Sequence, residues 1–193
     1  MNLPDRPGKI RAGVPVHGLT CLLAFALALA VPAATAAPVP APLQVCNVDV
    51  DVNDPHPGDT NVRAAPGGKV IAALTAPAND DWIEAHVVGQ AGDWFLVDRA
   101  WQVHVSGEPR ERTMLFRGRG YMHRSVLGVN GLAGGAQVYA APDAGARRLR
   151  VPLDHSDFGG DLIGCKGEWL HLRIRDFTGW TRDACLNGVT TCA

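Results

Sequence analysis

Gly92-Asp-Trp-Phe-Leu-Val97 and Gly167-Glu-Trp-Leu-His-Leu172 are two versions of one phrase: a glycine, an acid, a tryptophan and an apolar run. Working outward, Asn61-Val-Arg-Ala-Ala-Pro66 is matched by Gln137-Val-Tyr-Ala-Ala-Pro142, and Gly120-Tyr-Met-His-Arg-Ser-Val-Leu127 by Gly179-Trp-Thr-Arg-Asp-Ala-Cys-Leu186. The three matches keep their order. Pro66 and Trp94 are 28 positions apart, and Pro142 and Trp169 are 27 apart, which defines an internal repeat. Gly92 and Gly120 are 28 positions apart but Gly167 and Gly179 only 12, so the first copy carries about 16 extra residues, placed between Arg99 and Phe116.

Within each copy the periodicity is that of strands. Lys69-Val-Ile-Ala-Ala-Leu74, Trp94-Phe-Leu-Val97 and Trp169-Leu-His-Leu-Arg-Ile174 are short, apolar or alternating, and bounded by Gly, Pro, Asp or Asn. No stretch after residue 37 has a useful amphipathic helical pattern. The expected fold is all-β, with each copy a small barrel or sandwich. A domain of about 60 residues buries only about 60% of its unfolded surface, so disulfides are expected to support it.

The chain has 193 residues, with 18 Lys and Arg against 19 Asp and Glu. That balance supplies no positive excess for nucleic acid. Residues 1–36 read as a cleaved signal peptide. Arg6, Lys9 and Arg11 precede the 13-residue run Leu19–Val31, short of the roughly 20 residues of a membrane span, and Ala34-Thr-Ala36 supplies the cleavage site. Cys21 precedes the apolar run instead of following it, which excludes a lipoprotein acylation site. Cleavage after Ala36 leaves 157 residues with a net charge of minus three: a linker over 37–45, a first domain over 46–128 and a second over 129–193. It also leaves four cysteines, Cys46, Cys165, Cys185 and Cys192, none in a C-x-x-C pair. Two disulfides are expected, with three pairings open. The expected location is secreted or periplasmic.

Asn61-Val-Arg-Ala-Ala-Pro66, Gly92-Asp-Trp94 and Gly120-Tyr121, with Gly167-Glu-Trp169 and Gly179-Trp180 in the second copy, resemble the bacterial SH3-like domain. Tyr121 replaces the family's final Trp, and Gln137-Val-Tyr139 replaces its N-V-R. The resemblance spans residues 46–193 and implies two SH3-like barrels. Trp94 and Trp169 are expected to serve the cores of these barrels.

Such domains often accompany cysteine peptidases that cut cell-wall peptides. Here Cys185 is followed by eight residues without a His, and Asp183-Ala-Cys185-Leu lacks the Asp-Cys-Ser-Gly pattern of such peptidases. Gly-x-Ser-x-Gly, His-Glu-x-x-His and phosphate-loop motifs are absent. The run Val48-Asp-Val-Asp-Val-Asn-Asp54, counted from Asp49, fails as a calcium loop, with Asp54 at the sixth position and Thr60 at the twelfth, and reads as a strand with one solvated face. No metal, cofactor or catalytic residue is assigned.

Charge is unevenly spread. Residues 46–98 hold nine acids and two bases, whereas residues 99–124 hold six Arg and two Glu. Arg110, Arg112, Arg117 and Arg119 surround Met114, Leu115 and Phe116, with Trp101 at the entrance of the insertion. Either these arginines pair with the acidic half of the chain, or the insertion edges a recognition surface. In the second case Trp101, Phe116, Arg117, Arg119, Tyr121 and Trp180 are the candidate binding residues. The expected function is a non-catalytic exported module that binds cell-wall peptide, glycan or an envelope protein; the alternative is a periplasmic inhibitor or immunity-type protein that blocks a specific enzyme.

Overall fold

The structure, a computed structural model, describes residues 43–56, 58–75, 77, 80–105, 111–151 and 159–186. The signal peptide with its Ala36 site, most of the linker, Arg110 and Cys192 lie outside the described residues. The described chain is all-β. Its strands are β1 (Gln44–Val52), β2 (Thr60–Arg63), β3 (Val70–Leu74), β4 (Trp82–Ala91), β5 (Trp94–Val103), β6 (Arg112–His123), β7 (Leu127–Val129), β8 (Gly131–Leu132), β9 (Val138–Tyr139), β10 (Arg148–Leu149), β11 (Gly160–Lys166), β12 (Trp169–Ile174), β13 (Phe177–Thr181) and β14 (Ala184–Cys185). Among the described residues the helical content is one short 3-10 turn, Arg124–Val126. None of their helices is long and apolar enough to cross a membrane.

The repeat is visible in the pairing. The first copy runs β4-β5-β6-β2-β3 across the sheet and the second runs β11-β12-β13-β9-β10, the same order element for element. In both, the strand of the N-V-R phrase returns to pair with the last strand, Arg63 opposite Tyr121 and Tyr139 opposite Trp180. A shared steric demand explains the glycines at these junctions. A Cβ on Gly120 would collide with Val62 Cγ1, and one on Gly179 with Val138 Cγ1, so the returning valines stay fully inside only over a bare backbone. Gly92 and Gly167 likewise match, turning at φ 60° and 56°, the left-handed region in which a side chain is strained.

The two copies share one continuous strand order. β7 pairs with β1 on one side and with β11 on the other, straddling the 128/129 boundary. β1 begins at Gln44, inside the expected linker, and its start is also tied to the second copy. Asn47 N–H donates to Gly167 O at 2.7 Å, Gly167 N–H donates to Val45 O at 2.9 Å, and Cys46 is disulfide-bonded to Cys165. Cys185 is disulfide-bonded to a cysteine outside the described residues. Buried residues of β1, β4, β5, β7, β11 and β12 form one core, including Val50, Val87, Phe95, Val129, Leu162 and Leu172.

Three expectations are corrected. Residues 99–103 and 112–116 extend β5 and β6, instead of belonging to an inserted loop, because they pair with one another; residues 106–110 lie outside the described residues. Trp94 and Trp169 are only partly buried, and the adjacent Phe95 and Leu170 fill the core. The tight glycine turn sets strand parity one residue later than the Trp. Asp51 is buried, although Asp49 on the same strand is exposed, because β1 is an interior strand with β4 and β7 on its two sides at this point.

Candidate functional site

Strand parity turns both tryptophans outward; Trp94 meets a side chain from the end of β6, and Trp169 one from the residue just after β13. Trp94 packs edge-to-face on His123, with centroids 5.1 Å apart. At the equivalent positions Arg182 Cζ lies 4.8 Å from the Trp169 ring centroid, a cation–π arrangement. Arg63 and Tyr139 occupy a third matched pair of positions; Tyr139 packs edge-to-face on Trp169 at 5.3 Å. Asp54, Asn61, Arg63, Trp94 and His123 help line a cleft of about 150 Å³ in the first copy. Arg63 is fixed there because its Nη1 donates to Gly68 O at 2.8 Å, closing the Pro66–Gly68 turn beneath it. Asp54 is held below the usual carboxylate range: desolvation opposes its charge, but hydrogen bonds from the backbone and ring of His56 and from Thr60 outweigh it. A larger cleft of about 340 Å³ lies between β1 and the second copy, with Asn47, Asp49, Glu168 and Arg182 among its polar walls. Each cleft combines acceptors, a cation or imidazole and a neighbouring tryptophan face, which suits a polar ligand with an apolar or sugar face.

The hairpin is braced by two polar clusters. Glu84, 4% exposed, accepts hydrogen bonds from Trp101 Nε1 at 2.9 Å, Trp82 Nε1 at 3.1 Å and Arg112 Nη2 at 2.7 Å. The Arg112 guanidinium also lies over the Trp101 ring at 4.8 Å. Asp81 accepts from Val105 N–H at 3.0 Å and Gln102 Nε2 at 2.7 Å, and lies 2.8 Å from His104 Nδ1. These hydrogen bonds, the Val105 N–H first, lower its pKa. With Nδ1–H directed to Asp81, His104 Nε2 accepts from the Thr113 hydroxyl at 2.8 Å and links the two strands.

The six candidate binding residues are not brought to one site. Trp101 is 7% exposed and serves the Glu84 cluster, because its indole N–H finds its acceptor inside. Phe116 is partly buried against the core. Arg117 and Arg119 are exposed on β6, and among the described residues neither has an ion-pair partner, whereas Arg112 pairs with Glu84. Tyr121 is partly buried opposite Leu96. Trp180 stacks on His171 at 4.4 Å with planes 6° apart. Burial first, and then Arg173, lower the His171 pKa. The residues missed were His123, Arg182, Asn61 and Arg63. The available signal was positional: all four sit at matched places in the two copies.

No family model and no curated protein matches the chain. Among solved structures it is similar to NlpC2 from Trichomonas vaginalis, at 10% identity over 72% of this chain and 47% of that one, with a TM-score of 0.26. The chain thus spans less than half of that protein, and a likeness at this level carries no argument about function.

Proposed function

We propose that the chain is an exported, non-catalytic binding module whose two tryptophan-edged clefts take cell-wall peptide or glycan. The observation that carries this reading is a duplicated side-chain pairing at equivalent positions of two copies with the same strand order: Trp94 with His123, both lining the first cleft, and Trp169 with Arg182, of which Arg182 lines the second. Two clefts on one chain suit a repetitive ligand, because the second engagement becomes intramolecular once the first is made. Disulfides at Cys46, Cys165 and Cys185 support an oxidising, extracytoplasmic location. They also leave no described cysteine as a thiolate nucleophile.

The test is retention of the purified protein on insoluble peptidoglycan, with His123→Ala, Arg182→Ala and the double variant alongside. The expected result is retention of the parent, partial loss in each single variant and near-complete loss in the double. Parent protein left wholly in the supernatant sinks the reading, and capture of one stoichiometric protein partner would favour the inhibitor alternative.

A further inference from the structure

β6 pairs with β5 from Arg112 opposite Val103 to His123 opposite Trp94, with register shifts that leave Leu115, Gly118 and Arg119 without a direct partner. On its other side the recorded pairing is with β2 at a single position, Tyr121 opposite Arg63. Among the described residues no strand covers residues 112–119 on that side. In an antiparallel strand alternate residues direct their N–H and C=O groups away from the paired neighbour, so residues 112–117 present an open ladder edge, irregular at Leu115 and followed by a break in register at Gly118–Arg119. Met114 and Leu115 are exposed on it, at 45% and 36%. The edge is held in place by the Glu84–Arg112 bond at one end and the His104–Thr113 bond beside it.

The charge along this edge selects among occupants. Arg117 and Arg119 have no ion-pair partner among the described residues, and Arg99, directly opposite Arg117, adds a third cation already bonded to Asp98. A second copy pairing edge to edge would set these arginines against their own equivalents, which is repulsive across a ladder. An extended acidic chain meets the opposite situation: its carboxylates face Arg117 and Arg119, its backbone completes the ladder, and its apolar residues cover Met114 and Leu115. We propose that residues 112–119 dock an acidic, extended peptide segment of a partner protein by strand addition. This surface is separate from the tryptophan clefts, so the cleft reading can fail without affecting it.

The test uses the full exported protein and two labelled, capped nonapeptides, one alternating valine with glutamate and the other valine with lysine. The expected result is saturable binding of the glutamate peptide at low salt and no binding of the lysine peptide. Amide hydrogen exchange should slow within residues 112–119 and remain unchanged in the clefts. Arg117→Glu combined with Arg119→Glu should weaken the glutamate peptide by about threefold to thirtyfold, the range for two exposed ion pairs, and admit the lysine peptide. Arg117→Gln with Arg119→Gln is the second variant, for use if charge reversal disturbs folding, with the same loss expected and without gain of the lysine peptide. Equal binding of both peptides, unchanged exchange over 112–119, or self-association that protects the same amides would each overturn the proposal.

Discussion

Asp51 and Glu84 stand directly opposite one another across the β1–β4 ladder, both nearly excluded from water, yet only Glu84 has hydrogen-bond partners. The Asp51 carboxyl is pushed up to about 8, first by desolvation and then by the charge of Glu84. The Asn130 N–H acts weakly in the opposite sense, and its own hydrogen bond goes to Cys185 O at 3.0 Å. The folded protein therefore holds a proton that the unfolded chain releases near its ordinary value of 3.8. Stability from this group is fully present below about pH 4 and falls as pH rises, by at most about 1.4 kcal/mol per pH unit, until it levels above about pH 8. Asp51→Asn should remove that slope and be the more stable protein at pH 8. Denaturant melts at pH 5 and pH 8 check this; parallel curves for the two proteins would refute it.

Gly120→Ala and Gly179→Ala should each lower stability by about 1–3 kcal/mol, because the new methyl must displace Val62 or Val138 from a filled interior. Combining Gly120→Ala with Val62→Ala should recover part of the loss relative to the sum of the single variants, since the clash is then relieved. Urea titrations of the four proteins supply the comparison. Full additivity would show that the two residues do not press on one another.

Trp101→Ala should cost about 3–5 kcal/mol of stability, and Glu84→Gln should weaken the base of the hairpin by leaving Arg112 without its carboxylate. A Trp101→Ala protein as stable as the parent would return that residue to the surface role that its sequence position suggests.

Replacing both Cys46 and Cys165 with alanine should destabilise the protein by about 4–5 kcal/mol, the chain-entropy figure for a bond spanning 119 residues. Mass spectrometry of unreduced digests should find Cys46 joined to Cys165 and Cys185 joined to Cys192. Any other pairing contradicts this assignment.

The repeat was legible because it rests on residues that local stereochemistry demands: turn glycines at 92 and 167, packing glycines at 120 and 179, and the valines that close on them. Strands over Val70–Leu74 and Trp169–Ile174 followed from their composition. What connects the copies was not legible, since the pairing of β7 with both β1 and β11 depends on contacts distant in sequence. The same limit hid the cysteine pairing and the burial of Asp51. The sequence suggests a loop where the hairpin lies because register shifts, at the Ala100–Trp101 step and again between Val97 and Arg99, break the alternation that announces a strand. The clefts are not legible for a narrower reason: the pattern assigns the core to the tryptophan, and the residue after it fills that place.

The bond between Cys46 and Cys165 sets an order of events in the making of the protein. Synthesis proceeds from the N-terminus, so the first thiol waits for 119 further residues before its partner exists. Throughout that interval the first copy has β2 to β6 in hand but lacks the second-copy turn on which the start of β1 rests. The last steps of maturation are thus the arrival of β11 and β12 and the oxidation that locks the earliest-made strand to one of the latest.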